Sequence, residues 1–195
     1  MSWLDALLGR ARPVAPDLDA LFALPSAAVT LEAATGLRPT GSGSLCLKPA
    51  EGPAFAAAAA EAGGLLRLDP ATRVEELRDG YGYAWTTCTT TPDRLPDLVT
   101  ALHGANSTYE RAGFGPGLLC SVVVFAGEVE GRPVRAGLVY LYKRGTFYPF
   151  VPTGAQTRDT ALELRLRAVL QADLRVEPEL QRWFALWDAP GLRPG

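Results

Sequence analysis

The sequence predicts an α+β fold: a mostly antiparallel sheet built from hairpins, with helices packed on it and short helices at both termini. Three observations lead there. Extended runs are joined by turn signals at Asp79-Gly80, Glu130-Gly131 and Arg144-Gly145, and short links of that kind join antiparallel neighbours. Two apolar stripes recur at helical spacing, Leu95/Leu98/Val99/Leu102/Tyr109 and Leu162/Leu166/Val169/Leu170. With 195 residues, 48% hydrophobic and 21% charged, the chain is long enough to fill one large core. The expected division is a single domain over residues 1–195, an N-terminal helical segment (1–24) leading into a sheet-and-helix core (25–195).

The elements follow in chain order. Trp3–Gly9 reads as a short helix stopped by Gly9, with Trp3, Leu4, Leu7 and Leu8 inside an arc of ~140°. Pro13 and Pro16 make a stiff link. Asp17–Leu24 reads as a second short helix, ended by Pro25. Ala27–Ala34 reads as a strand, Gly36–Pro39 and Gly41–Ser44 as a loop, and Leu45–Lys48 as a short strand closed by Pro49. Pro53 suits the first turn of the Ala-rich helix Phe55–Leu66. Arg73–Arg78 and Tyr81–Thr87 form a hairpin across the two-residue link Asp79-Gly80, which sets Glu76 opposite Tyr83 and Val74 opposite Trp85. Its charged strand reads as a protected sheet edge.

Thr91 and Pro92 fit the N-cap and first position of the clearest helix, which Gly113 ends in the left-handed region. Leu118–Ala126 is near-continuously apolar and reads as a central strand; Val134–Tyr142 returns beside it and Thr146–Val151 follows. Thr160–Glu163 fits a capping box for a helix running to about Leu174. Pro178 opens a final short helix ending in Arg182–Trp187, whose aromatics cap the core. Three loose ββα-like units can be drawn, without a residue-level repeat.

Little in the chain supplies chemistry. Net charge is −2, which excludes a long-range pull toward nucleic acid. Cys46, Cys88 and Cys120 are odd in number and widely spaced, so they read as buried thiols and not as a disulfide framework. No signal peptide is visible, and the longest apolar tract, residues 53–66, is too short and broken to span a bilayer; the expectation is a cytoplasmic protein. His103 is the single histidine and no metal-ligand spacing accompanies it; neither metal nor cofactor is expected. A Cys120/His103 nucleophile pair is the enzymatic alternative. Gly41–Gly43 precedes a strand and Gly113–Gly117 links helix to strand, so neither presents a phosphate-binding helix N-terminus. Glu75-Glu76 reads as solvated charge. Asn106 falls inside an apolar stripe, where its amide must be satisfied by a neighbouring backbone or by a ligand in a pocket.

Two surfaces remain. One is the Trp3/Leu4/Leu7/Leu8 face, suited to a partner helix, to a membrane interface or to packing on its own domain. The other is the hairpin Leu138–Phe150, where Tyr140, Tyr142, Phe147 and Tyr148 surround Lys143 and Arg144; it is either core or docking surface. Stacking on single-stranded nucleic acid is disfavoured by the charge balance.

The stretches WLDALLG (Trp3–Gly9), LDALFALPSA (Leu18–Ala27), Gly36–Pro39, LHGANSTYERAGFGP (Leu102–Pro116), LVYLYKRGTFYP (Leu138–Pro149) and Arg182–Trp187 together resemble the PspA-associated protein family PspAB, found mainly in actinobacteria. The resemblance runs nearly end to end, most specifically over Leu138–Pro149. It implies a non-enzymatic accessory or adaptor of a phage-shock-type envelope stress response. The implied partner is PspA, an ESCRT-III-like coiled-coil protein that remodels membranes, with peripheral contact at the inner face of the membrane open. No catalytic, cofactor or mapped interface residues come with it. A small-molecule or peptide-binding module with a pocket near Asn106, and a cysteine hydrolase, stand as alternatives.

Overall fold

Residues Leu118–Leu141 fold back on themselves because Glu130 and Gly131 both take positive φ, 54° and 74°. Successive left-handed residues give a turn whose twist matches that of the flanking strands. The computed structural model describes residues 16–192. Its strands are β1 (Arg38–Leu47), β2 (Arg73–Arg78), β3 (Ala84–Thr89), β4 (Leu118–Val129), β5 (Arg132–Leu141), β6 (Thr146–Phe150), β7 (Pro152–Gly154) and β8 (Thr157–Arg158). Its α-helices are α1 (Leu24–Thr35), α2 (Pro53–Leu66), α3 (Leu95–Arg111) and α4 (Thr160–Leu170). The fold is α+β: six strands form one antiparallel sheet in the order β2-β3-β1-β4-β5-β6, and β7 and β8 make a small second sheet.

The sheet is buried on both faces. Leu45, Val123, Phe125, Leu138, Tyr140 and Phe147 point toward the helices. Cys46, Val122, Val124, Val139, Tyr148 and Phe150 point the other way, under an irregular strap formed by Val176–Leu192 with Trp183, Ala189 and Leu192 turned inward. Burial on two sides is the reason that Leu118–Ala126 and Leu138–Tyr142 read as continuous apolar runs and not as alternating ones. The strap also closes one sheet edge. Phe147 donates to Arg175 O at 2.9 Å and accepts from Glu177 N at 2.7 Å, so 175–177 extend the sheet beyond β6. The opposite edge, β2, is charged and exposed, as its sequence predicts.

Several elements differ from the sequence-based expectation. Residues 27–34 are helix α1, not a strand, and Pro25 opens that helix instead of ending one; Leu18–Ala23 before it is a 3₁₀ turn. Pro is tolerated in a first helical turn, and Leu24, Ala27, Ala28 and Leu31 bury one helical face. The 18 residues Leu18–Thr35 are apolar and long enough to cross a membrane, yet their leucines lie in the core. Strand β1 starts at Arg38 and includes the expected Gly-Ser loop. The small residues are there because α3 crosses close: a Cβ on Gly43 would meet Leu102 Cδ1 at 2.9 Å. A bulge between Pro39 and Gly43, with Gly41 at φ 78°, bends the strand.

The β2–β3 link is the five-residue loop 79–83, which pairs Val74 with Cys88 and Glu76 with Thr86. Asp79 holds it open by accepting from Tyr81 N (2.9 Å) and Tyr83 N (3.0 Å). Thr91 makes no side-chain cap; a 3₁₀ turn, Pro92–Arg94, precedes α3. The cap of α4 is Asp159, which accepts from Leu162 N at 2.9 Å, and the helix stops at Leu170. Among the described residues after α4 only Leu180–Arg182 is helical, as one 3₁₀ turn. With residues 27–34 helical, the first of the ββα-like units is lost, because β1 has no strand before it. The helix expected at Trp3–Gly9 lies outside the described residues.

Candidate functional site

The hairpin tip turns through Gly145 (φ 61°), with Arg144 N and Gly145 N both donating to Leu141 O. Its aromatic residues are core. Tyr140 packs on Phe147 at 5.2 Å between ring centroids and donates its hydroxyl to Asp17 O at 2.7 Å; burial pushes its pKa up to about 12. Tyr142 donates to Glu110 Oε1 (2.8 Å). Tyr148, on the opposite sheet face, donates to Phe184 O (2.9 Å). Of the residues singled out in this hairpin, Lys143 is the exposed one and Arg144 is half-buried.

Arg144 is held by a carboxylate beneath it. Glu177 is fully buried and accepts from Thr146 Oγ1 (2.7 Å), Arg144 Nε (3.2 Å), Glu179 N (3.3 Å) and Arg182 Nη1 (3.5 Å). Burial alone raises a carboxyl pKa; the bonds from Thr146, Glu179 and Arg144 outweigh it and hold Glu177 below the ordinary glutamate range. A second buried carboxylate, Glu163, takes Arg158 Nε on both oxygens at 2.9 Å and Val151 N at 2.8 Å. There burial dominates, and the Glu163 pKa is raised. Arg158 in turn donates to Trp183 O (2.8 Å) and sits 4.8 Å over the Phe150 ring. The two carboxylates thus pin both ends of Glu177–Trp183 to the sheet.

Between strap and sheet, beside the Glu177 pair, lies a cleft of about 540 Å³. Its floor is set by register: Trp85, Cys46, Cys120 and Leu141 are successive cross-strand partners on β3, β1, β4 and β5. Phe184, Ala185 and Leu186 of the strap form the wall, and Lys143, Arg144 and Arg182 stand at its margin. The polar atoms of the floor are already engaged: Trp85 Nε1 donates to Asp79 Oδ2 at 3.0 Å, and the Tyr148 hydroxyl is used by Phe184 O. Cys46 and Cys120 are free, buried thiols. A hydrogen bond to Cys120 and burial hold the Cys46 thiol far above its ordinary pKa, and burial pushes Cys88 up to about 11. Neutral thiols of that kind are poor nucleophiles.

The other predicted residues lie elsewhere. His103 sits on α3 with Nε2 3.0 Å from Asp19 Oδ1 and its ring 4.7 Å from that of Phe22. Cys120 faces the strap, so the fold does not bring it to His103. Asn106 is buried against β4: its amide nitrogen donates to Leu102 O (2.8 Å) and Ser121 Oγ (2.9 Å), fastening helix to sheet. It does not line the strap cleft. Among the described residues no group of three or more His, Cys, Asp or Glu side chains is placed to hold a metal ion. Glu177 and Glu163 were not legible as site residues, because a buried glutamate carries no periodic signal. The strap's Phe184, the one exposed aromatic of Trp183–Trp187, had only the apolar run around it as a signal.

The family model for PspA associated protein B, PspAB, matches residues 1–191. The chain belongs to this family. The match takes in the hairpin, both carboxylate latches and the strap through residue 191. No curated protein and no solved structure matches the chain.

Proposed function

We propose that this PspAB protein is a non-enzymatic accessory of a phage-shock-type envelope stress response and binds a PspA-like membrane-remodelling protein. The observation that carries the reading is the family match over residues 1–191, whose description is association with PspA. The protein works in the cytoplasm, at or near the inner face of the membrane. Its partner contacts are the Trp3/Leu4/Leu7/Leu8 face and the basic hairpin tip at Lys143 and Arg144. The burial of Tyr140, Tyr142, Phe147 and Tyr148 supports a role for the tip's charges in preference to its rings. The burial of the three cysteines and the separation of Cys120 from His103 support a binding role over a hydrolytic one.

The test is capture of the host's PspA-like protein by the tagged full-length chain, with and without membrane stress. Specific capture that Trp3→Glu or Lys143→Glu abolishes supports the adaptor reading. Absence of the PspA-like protein under both conditions contradicts it.

A further inference from the structure

The strap cleft lies beside the residues assigned to partner binding and is apolar where they are charged. Its floor of Trp85, Cys46, Cys120 and Leu141 presents carbon and sulfur; Trp85 Nε1 and the nearby Tyr148 hydroxyl are satisfied within the protein, and Tyr83, which also lines the cleft, adds one hydroxyl. The strands beneath it are interior to the sheet, with β1 and β4 paired on both sides, so no free backbone edge exists there for an extended peptide. A sugar or a peptide backbone would bury polar groups without partners, which costs about 1–3 kcal/mol for each. An alkyl chain has none to bury.

The margin is charged differently from the floor. Lys143 is exposed and makes no ion pair among the described residues. Arg144 and Arg182 are both drawn to the cleft margin by buried Glu177, and Arg182 is also paired with Glu179. Glu177 and Glu179 engage the two arginines, which leaves the charge of Lys143 at this margin; Asp79, bonded to Trp85, and Glu110, which lines a neighbouring groove with Lys143, are further acids nearby. A volume of about 540 Å³ falls within the range of small-ligand sites.

We infer that this cleft binds an anionic single-chain amphiphile, a fatty acid or alkyl phosphate. The acyl chain lies on the Trp85–Cys46–Cys120–Leu141 floor under Phe184 and Leu186, and the headgroup meets Lys143 with Arg144 and Arg182 beside it. The site shares Lys143 and Arg144 with the proposed partner contact, but its floor and its wall at Ala185 are not part of that contact, so Ala185→Trp tests the cleft without testing capture.

Titration calorimetry on the full chain tests it, with laurate, dodecyl phosphate and uncharged dodecanol below micelle-forming concentrations. Ala185→Trp fills the wall from an exposed position, and Lys143→Glu reverses the free charge; thermal melts establish that both fold. The expected result is one laurate or dodecyl phosphate per chain, at least tenfold weaker binding in each variant, and at least tenfold weaker binding of dodecanol to the unaltered protein. No binding of either anion overturns the proposal. So does binding that Ala185→Trp leaves unchanged, or association with phosphatidylglycerol vesicles alone that ignores Ala185→Trp.

Discussion

Glu177→Gln removes the charge that joins the strap to the hairpin. The carboxylate is fully buried, so its bond from Thr146 Oγ1 is formed out of water, where a hydrogen bond to a charged group contributes about 1.5–3 kcal/mol. Orphaning a buried ion-pair partner costs about 3–5 kcal/mol. Here Arg144 and Arg182 each keep 32% of their side-chain surface exposed, so water recovers part of that loss and the ion-pair share is discounted accordingly. The amide oxygen can still accept from Thr146 and Arg144, but the amide nitrogen then turns a donor toward Glu179 N and the Arg182 guanidinium. The expected loss is about 2–3 kcal/mol at neutral pH, roughly 4–12 °C in Tm for a chain of this length.

The sign with pH follows from the depressed pKa. A carboxylate whose folded pKa lies below its ordinary value of 4.5 contributes stability above that value and loses it as pH falls through the folded pKa. Glu163, whose pKa is raised, is present in both proteins and cancels in the comparison. Urea denaturation of wild type and Glu177→Gln at pH 7 and at pH below 4 therefore measures Glu177 alone. The gap narrows in acid. A gap below ~0.5 kcal/mol at pH 7, or one that is the same at both pH values, refutes the latch.

Gly43→Ala sets a methyl group 2.9 Å from Leu102 Cδ1 and 3.3 Å from Leu98 Cδ2, and is expected to destabilise by about 1–3 kcal/mol in chemical denaturation, an overpacking cost. Unchanged stability would mean that α3 does not press on β1. Asp79→Ala removes the acceptor for Tyr81 N, Tyr83 N and Trp85 Nε1 and is expected to cost about 2 kcal/mol, with faster amide exchange confined to residues 79–85. Exchange that spreads evenly over the sheet would contradict a local role.

The long periodic helix α3 and the two-sided strand β4 were legible because each carries more than one agreeing signal. For α3 these are the Leu95/Leu98/Val99/Leu102 stripe and Gly113 at its end; for β4 they are an unbroken apolar run and the Glu130-Gly131 turn. Helix α1 and strand β1 were misread for one shared reason. Both are made of small residues whose placement is decided by what packs on them: Ala27 and Ala28 in the core, and Gly43 under Leu98 and Leu102. Gly and Ser are weak strand formers, and the alanines of α1, though good helix formers, carry little apolar bulk to mark a stripe, so packing decides both placements. The Asp79-Gly80 dipeptide signalled a turn correctly, but the Asp79 side chain made a longer loop of it and shifted the register.

The site was legible in part. Tyr148, Lys143 and Arg144 of the hairpin, singled out from sequence, do meet at the strap cleft, and Tyr140, Tyr142 and Phe147 serve the helix-side core. The cleft itself depends on cross-strand register and on a strap with no regular structure. Neither leaves a pattern along the chain, and Glu177 lies in that strap without periodic neighbours.

The measurement that bears most directly on the accessory reading is stoichiometric co-purification of the tagged full-length chain with the PspA-like protein of its own host, before and after membrane stress, alongside Trp3→Glu and Lys143→Glu. The account predicts specific capture, lost in at least one variant whose thermal stability is unchanged. A chain that is folded and never retains the PspA-like protein, under stress or without it, would contradict it.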